Sequence, residues 1–291
     1  MQAVILAVIR FVRARVARAA PTLMFAGAVL FSPASASGQF RAPDGSFQPV
    51  GERYHVEVSG SLWTPAPTGQ IASDSFDAIG NAIDFTADLG YEKTRLRDFR
   101  IVLRPARRVR LRLQHTPVHY AAETSFNRDI TFGGTPFPVS VPIVSDFAWT
   151  VWRAGVEYDV VYRPRGFVGV LVEARYTQLD AIVATNTPFF SPPLEALAEA
   201  RAPLPAVGLV GRVYLLPNVA LNVEVSGFRV PRIDDEVEAN YADWDLHATV
   251  NLNEFLGAQV GWRRMTTYLS TAGDVGDVRF TGLWFGGALR Y

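Results

Sequence analysis

Between residues 53 and 291 the chain alternates in polarity with a period of two, over segments longer than ordinary strands. In Val219–Gly227 the side chains of Val219, Leu221, Val223 and Val225 fall on one face, and Ala220, Asn222, Glu224 and Ser226 on the other. Trp244–Leu252 sets Trp244, Leu246, Ala248, Val250 and Leu252 against Asp245, His247, Thr249 and Asn251. Arg108–Gln114 sets Val109, Leu111 and Leu113 against Arg108, Arg110, Arg112 and Gln114. A repeat of two belongs to extended backbone, whose successive side chains point to opposite faces. Ordinary strands run about 5–6 residues, whereas a tilted strand crossing a bilayer needs about 9–11.

The connections sharpen this reading. Arg104–Arg107, Arg163–Gly166, Leu216–Asn218 and Asn251–Glu254 are short, and they alternate with long spans near Thr64–Thr94, Pro117–Asp146, Ala181–Ala202, Pro231–Asn240 and Ser270–Asp277. Short turns at one end and long loops at the other are the pattern of a transmembrane barrel, with the turns on the periplasmic side. Trp63, Trp149, Trp152 and Trp244 fall at the long-loop ends, and Tyr54, Tyr158, Tyr162, Tyr214 and Tyr291 toward the short turns, which predicts two interfacial girdles. The expected fold is therefore all-β, a single antiparallel up-and-down transmembrane β-barrel.

Ten strands are expected: Arg53–Trp63, Arg95–Arg104, Arg108–Thr116, Phe147–Tyr162, Gly166–Leu179, Ala206–Leu216, Val219–Val230, Tyr241–Asn251, Phe255–Thr267 and Val278–Tyr291. An even count leaves both termini on the periplasmic side. Asn81–Gly90 also reads as a strand and is placed in the first long loop, as a short extra-membrane strand or an inward-folded segment. The alternative is twelve strands. Ser125–Phe132 and Pro138–Val144 are expected to extend a hairpin above the membrane, and only Pro192–Ala202 looks helical.

Met1–Ala36 carries Arg10, Arg13, Arg15 and Arg18 and no acidic residue, then an apolar run Ala19–Phe31 and the small residues ending at Ala36. A basic start, a short apolar core and a small-x-small site predict a secretory signal peptide over 1–36. A short periplasmic segment over 37–52 and the barrel over 53–291 follow. The absence of cysteine excludes a disulfide scaffold and a Cys-ligated metal. With 28 basic and 28 acidic side chains, no basic excess exists to drive binding to nucleic acid. A chain 49% hydrophobic and 12% aromatic is too apolar to stay disordered.

The last strand ends on Tyr291 with Leu289 two positions earlier. Over Arg53 to Tyr291 the chain resembles the small bacterial outer-membrane β-barrels of the OmpA/OmpW-like group. The resemblance implies residence in the bacterial outer membrane and contact with its lipid and lipopolysaccharide. It also implies insertion by the barrel assembly machinery, with Leu289 and Tyr291 as the assembly signal. A monomer is expected.

If the apolar face meets lipid, the other face lines the interior. That face carries Asp98, Arg100, Arg110, Arg112, Arg153, Glu157, Asp159, Glu173, Arg175, Arg212, Glu224, Asp243, Asp245, His247 and Arg263. In so narrow a barrel opposite charges pair, because an unpaired buried charge costs several kcal/mol. The network either fills the barrel structurally or lines a narrow polar pore, in which the arginines favour small anions.

An enzyme of the lipid-modifying or proteolytic kind is the reading from another class. Asp245 and His247 share a face, so the acid can orient the imidazole, but no serine completes a triad. They are the weak catalytic candidates. Adhesion through the long loops is a third reading, and it predicts that trimming Pro117–Asp146 removes binding while the barrel still folds. His115 and His119 fall on the lipid-facing parity and read as interfacial residues. No metal site and no cofactor are expected.

Overall fold

A computed structural model describes residues 47–73, 81–132, 134–186, 194–233, 237–270 and 274–291. The expected signal peptide lies outside the described residues. In chain order the strands are β1 (Val56–Ser73), β2 (Ile83–Asp84), β3 (Leu96–Ala106), β4 (Val109–Ser125), β5 (Ile130–Phe132), β6 (Thr135–Phe137) and β7 (Pro142–Arg163). They continue as β8 (Gly166–Thr185), β9 (Glu195–Leu216), β10 (Val219–Ile233), β11 (Val237–Asn251), β12 (Leu256–Ser270) and β13 (Asp274–Arg290).

Ten of these close into one antiparallel barrel. The order runs β1-β3-β4-β7-β8-β9-β10-β11-β12-β13, and β13 returns to β1 in register from Glu57↔Arg290 to Ser73↔Asp274. Closure leaves no lateral edge around the ring, so the backbone ladders continue from strand to strand all the way round. Val56 and Tyr291 exchange backbone hydrogen bonds at 2.9 Å, which locks the two ends of the barrel together on the short-turn side.

The barrel has two storeys. Toward the short turns, Leu103, Leu111, Val168, Leu209, Leu246 and Phe285 are exposed on the outside while charged side chains are buried inside. This polarity is the reverse of a water-soluble domain and matches a surrounding of lipid. Trp152 and Trp244 stand outward at the upper rim of the apolar belt, with Tyr158 and Tyr291 outward below. Trp63 and Trp149, expected in the girdle, instead point inward and are buried, as are Tyr54 and Tyr214. Parity decides this: Trp63 shares the inner face of β1 with Ser59 and Ser61 rather than its outer face.

The second storey extends past the belt and is filled by an apolar core. Trp63, Tyr120, Phe147, Trp149, Tyr241, Met265 and Phe280 line it from the wall, and Ile83, Phe85, Leu89, Phe126, Ile130, Phe132 and Phe137 fill it from the connections. Phe85 meets Phe147 edge-on at 5.1 Å, and Tyr120 stacks on Phe280 at 5.8 Å. Asn81–Gly90 is thus an inward-folded segment, not a barrel strand. The hairpin above the membrane exists only as the stems of β4 and β7, for β5 and β6 form a separate hairpin whose aromatics turn into the core. Pro117–Asp146 includes the outer ends of β4 and β7 and a share of the core.

Wall and filling are matched at one place. β3 stops at Leu96, opposite Trp63, while β1 and β4 run on beyond it. In the gap, the carbonyls of Pro65, Pro67 and Gly69 accept hydrogen bonds from the Tyr120 hydroxyl (3.1 Å), the Thr86 hydroxyl (3.2 Å) and the Phe85 amide (3.0 Å). Backbone groups of these odd-numbered residues face the gap, and proline at 65 and 67 has no N–H to leave orphaned there.

The helix expected over Pro192–Ala202 is not formed. Glu195–Ala202 is the outer part of β9, paired from Ala184↔Glu195 to Thr177↔Ala202 with β8. Helix propensity for such a stretch amounts to a few tenths of a kcal/mol per residue, less than a continuous ladder to a neighbouring strand offers. The proline- and phenylalanine-bearing stretch Thr187–Ala202 also reads in sequence as a lid over the mouth, but residues 195–202 are barrel wall, and residues 187–193 lie outside those described.

Candidate functional site

The membrane storey encloses a lattice of charge. Among the described residues nine arginines point inward (Arg100, Arg104, Arg110, Arg112, Arg153, Arg175, Arg212, Arg263 and Arg290), against nine carboxylates (Glu52, Glu57, Asp98, Glu157, Asp159, Glu173, Glu224, Asp243 and Asp245). Strand alternation puts all but Glu52 there, since each of the others occupies the parity opposite to the lipid-facing residues of its own strand.

Arg153 on β7 is a hub. Its guanidinium reaches Glu173 at 3.0 Å, Glu224 at 2.8 Å and Asp243 at 3.0 Å, and so ties β7 to β8, β10 and β11. Arg112 binds the other oxygen of Glu224 at 2.5 Å, and Arg100 approaches that oxygen at 3.5 Å. Arg175 pairs with Glu173 and stacks over the Tyr241 ring at 4.1 Å. Arg263 joins Asp243 (2.8 Å) to Asp98 (3.1 Å), and Gln114 and Thr116 also donate to Asp98. The fifteen residues that alternation places on the inner face lie inside the barrel; thirteen are joined by arginine–carboxylate contacts, and Asp245 contacts His247.

Asp245 and His247 sit together on β11, with His247 Nδ1 2.7 Å from Asp245 Oδ1. The imidazole leans on Trp284, ring centroids 5.0 Å apart, above Gly261. Ser61, Asp98, Arg263 and this pair bound a void of about 20 Å³, which is the room that one water needs. A larger void of about 60 Å³ lies among Glu57, Arg100, Arg110, Arg212, Glu224 and His247. His115 is stacked on Trp152 at 4.1 Å on the outer surface, and His119 pairs with Asp146 at 2.8 Å where both are exposed. Among the described residues no cluster of His, Asp and Glu has the spacing of a metal site.

The periplasmic mouth holds residues that alternation did not point to. The described part of the N-terminal segment enters the barrel: the Val50 amide donates to Pro217 O (2.7 Å) and Val50 O accepts from Asn251 Nδ2 (2.7 Å). Gly51 has φ +77°, and a Cβ there would stand 2.7 Å from an Arg290 nitrogen and 3.0 Å from Asn251, so only glycine fits. Glu52 then reaches Arg104 (3.0 Å), Arg110 (3.2 Å), Arg212 (3.0 Å) and the Tyr214 hydroxyl (2.7 Å). Burial alone would push its carboxyl up, but Arg212, Arg104 and Arg110, with the Tyr214 hydroxyl, hold it down to about 2. The Glu57–Arg290 pair, 2.5 Å across β1 and β13, was legible as two opposite charges in direct register. Glu52 lies outside any strand and had no such signal.

No protein-family model matches the chain, and no curated protein matches it. Among solved structures, the outer membrane protease OmpT of Escherichia coli is similar with a TM-score of 0.50 at 9% identity, over 81% of this chain and 96% of that one. The toluene transporter TodX of Pseudomonas putida matches at TM-score 0.35 and 8% identity over 86% and 90% of the two chains. The attachment invasion locus protein Ail of Yersinia pestis, in complex with a heparin analogue, matches at 0.33 and 11% over 81% and 99%. At these identities the likeness is one of fold. With its closed ten-strand ring, apolar belt and polar interior, this chain has the fold of a bacterial outer-membrane β-barrel.

Proposed function

We propose that the protein is a closed, structural component of the outer membrane that carries its own filling and does not conduct solutes. The observation that carries this is the matched lattice of arginines and carboxylates beneath an aromatic core, with small voids of about 20 and 60 Å³ between the charged side chains. Export by the Met1–Ala36 segment and insertion through the Leu289–Tyr291 signal belong to the same reading, as do a monomeric state and contact of the belt with lipid and lipopolysaccharide. Planar-bilayer recording of the refolded chain tests it. Silence from a folded sample is expected, and discrete, reproducible steps with anion preference would replace it with the narrow-pore reading.

A hydrolase is favoured by one observation, the oriented Asp245–His247 pair with Ser61 on the wall of the same void. A void that holds one water leaves no place for an acyl or peptide substrate, so the pair is read as part of the lattice. Asp245→Ala with His247→Ala should lower stability and leave no hydrolytic activity to lose.

A further inference from the structure

We propose that the periplasmic mouth contains a carboxylate-binding site built by Arg104, Arg110, Arg212 and Tyr214, which the chain's own Glu52 fills as a tethered ligand and which a free small carboxylate fills when Glu52 is absent. This goes beyond a closed structural barrel and does not depend on whether the lumen conducts.

The geometry is that of a bound carboxylate. Four donors from β3, β4 and β9 converge, two on each oxygen. Arg104 and Arg110 donate to Oε1 at 3.0 and 3.2 Å, and Arg212 and Tyr214 to Oε2 at 3.0 and 2.7 Å. Two donors per oxygen fit a planar anion with two equivalent oxygens and suit a spherical one poorly. The site is fixed by the barrel wall: Arg110 is held by Glu157 and Asp159 and lies over the Phe167 ring at 3.9 Å, and Arg212 is held by Asn222 at 2.6 Å.

The ligand, by contrast, is not part of the wall. β1 begins at Val56, and Glu52 arrives on an irregular segment. Without its carboxylate the interior would hold nine arginines against eight carboxylates, leaving one buried positive charge uncompensated at the mouth that opens toward the periplasm. Burying such a charge is costly, so an external anion of matching shape has a large drive to take the place.

Acetate is the probe. The full chain carrying Glu52→Ala is refolded in detergent at neutral pH, and its thermal unfolding midpoint is followed in sodium acetate against sodium chloride at equal ionic strength. The midpoint in chloride should fall below that of the unsubstituted chain, and acetate should raise it saturably by roughly 3–8 °C. The unsubstituted chain and Glu52→Gln, whose side chain still occupies the site, should not respond. The double variant Glu52→Ala/Arg212→Met should lose the acetate gain. If Glu52→Ala does not refold in chloride, its refolding yield against acetate concentration is the same readout. An acetate effect no larger than that of chloride, an equal effect on the unsubstituted chain, or one that survives Arg212→Met overturns the proposal.

Discussion

Arg153 on β7 reaches across the lumen to Asp243 on β11, Nη1 to Oδ2 at 3.0 Å, although three strands of the ring separate them. The same guanidinium binds Glu173 and Glu224, so one side chain bridges three buried carboxylates. Removing one partner of a buried pair leaves the others charged and desolvated. Arg153→Met should therefore destabilise the folded barrel by about 3–5 kcal/mol, read as a lower urea midpoint in lipid vesicles. Arg153→Lys, which keeps the charge and loses the fork, should fall between the two. An Arg153→Met midpoint equal to that of the unsubstituted chain would mean the lattice is solvated.

Gly261 marks a close approach in the middle of the lumen. A Cβ at this position would lie 2.5 Å from His247 Cβ and 2.7 Å from the Trp284 ring. His247 Cβ is tied to the backbone of β11, and the indole has little freedom in a filled barrel. Gly261→Ala should cost about 1–3 kcal/mol through overpacking, measured as the same urea midpoint. Gly276, where a Cβ meets nothing within 4 Å, is the control that should change little.

Alternation made the lumen legible because it is a local property of each strand: once Leu246 faces lipid, Asp245 and His247 face inward whatever the neighbours do. It equally placed Arg153, Glu173, Glu224 and Arg263. The errors came where position along the chain was read without parity. Trp63 and Trp149 lie at the right height for a girdle but on the inner face, and Tyr54 and Tyr214 likewise. The alanine-rich Glu195–Ala202 shows weak alternation, and only the ladder to β8 makes it a strand. Glu52 and the Phe85 segment enter the barrel through long-range packing, and no period in the sequence records a partner 160 residues away, as Arg212 is from Glu52.

Phe85 is the central plug of the outer storey, fully buried and in edge contact with both Tyr91 and Phe147. After the buried Tyr91, residues 92–95, including Lys93 and Arg95, are exposed before β3 begins. Phe85→Ala removes a core ring, a change that typically costs about 3–5 kcal/mol. Here the loss falls on the inserted segment, because the ladder of the membrane storey does not include it. Trypsin added to intact cells should cut Phe85→Ala at Lys93 or Arg95 far faster than the unsubstituted chain, while the barrel itself keeps its folded migration on unheated gels. Cleavage at equal rates would mean that the segment is not held by its core contacts, and cleavage only after cell lysis would reverse the assigned orientation.

Glu52 gives the mouth a defined response to acid. Its carboxyl is held at about 2, below the ordinary value of 4.5, so the folded barrel prefers the charged form. The stability this contributes is present in full above about pH 4.5 and is lost as pH falls through 2, when the folded state must also take up the proton. A difference of this size corresponds to about 3 kcal/mol at neutral pH. Other carboxylates titrate in the same range, so the informative quantity is the gap between the unsubstituted chain and Glu52→Gln, which resembles the protonated residue at every pH. That gap in urea midpoint should be widest at pH 5 and above, and should close as pH approaches 2. A gap that stays constant across this range would show that Glu52 stabilises the mouth by packing alone, with its charge contributing nothing.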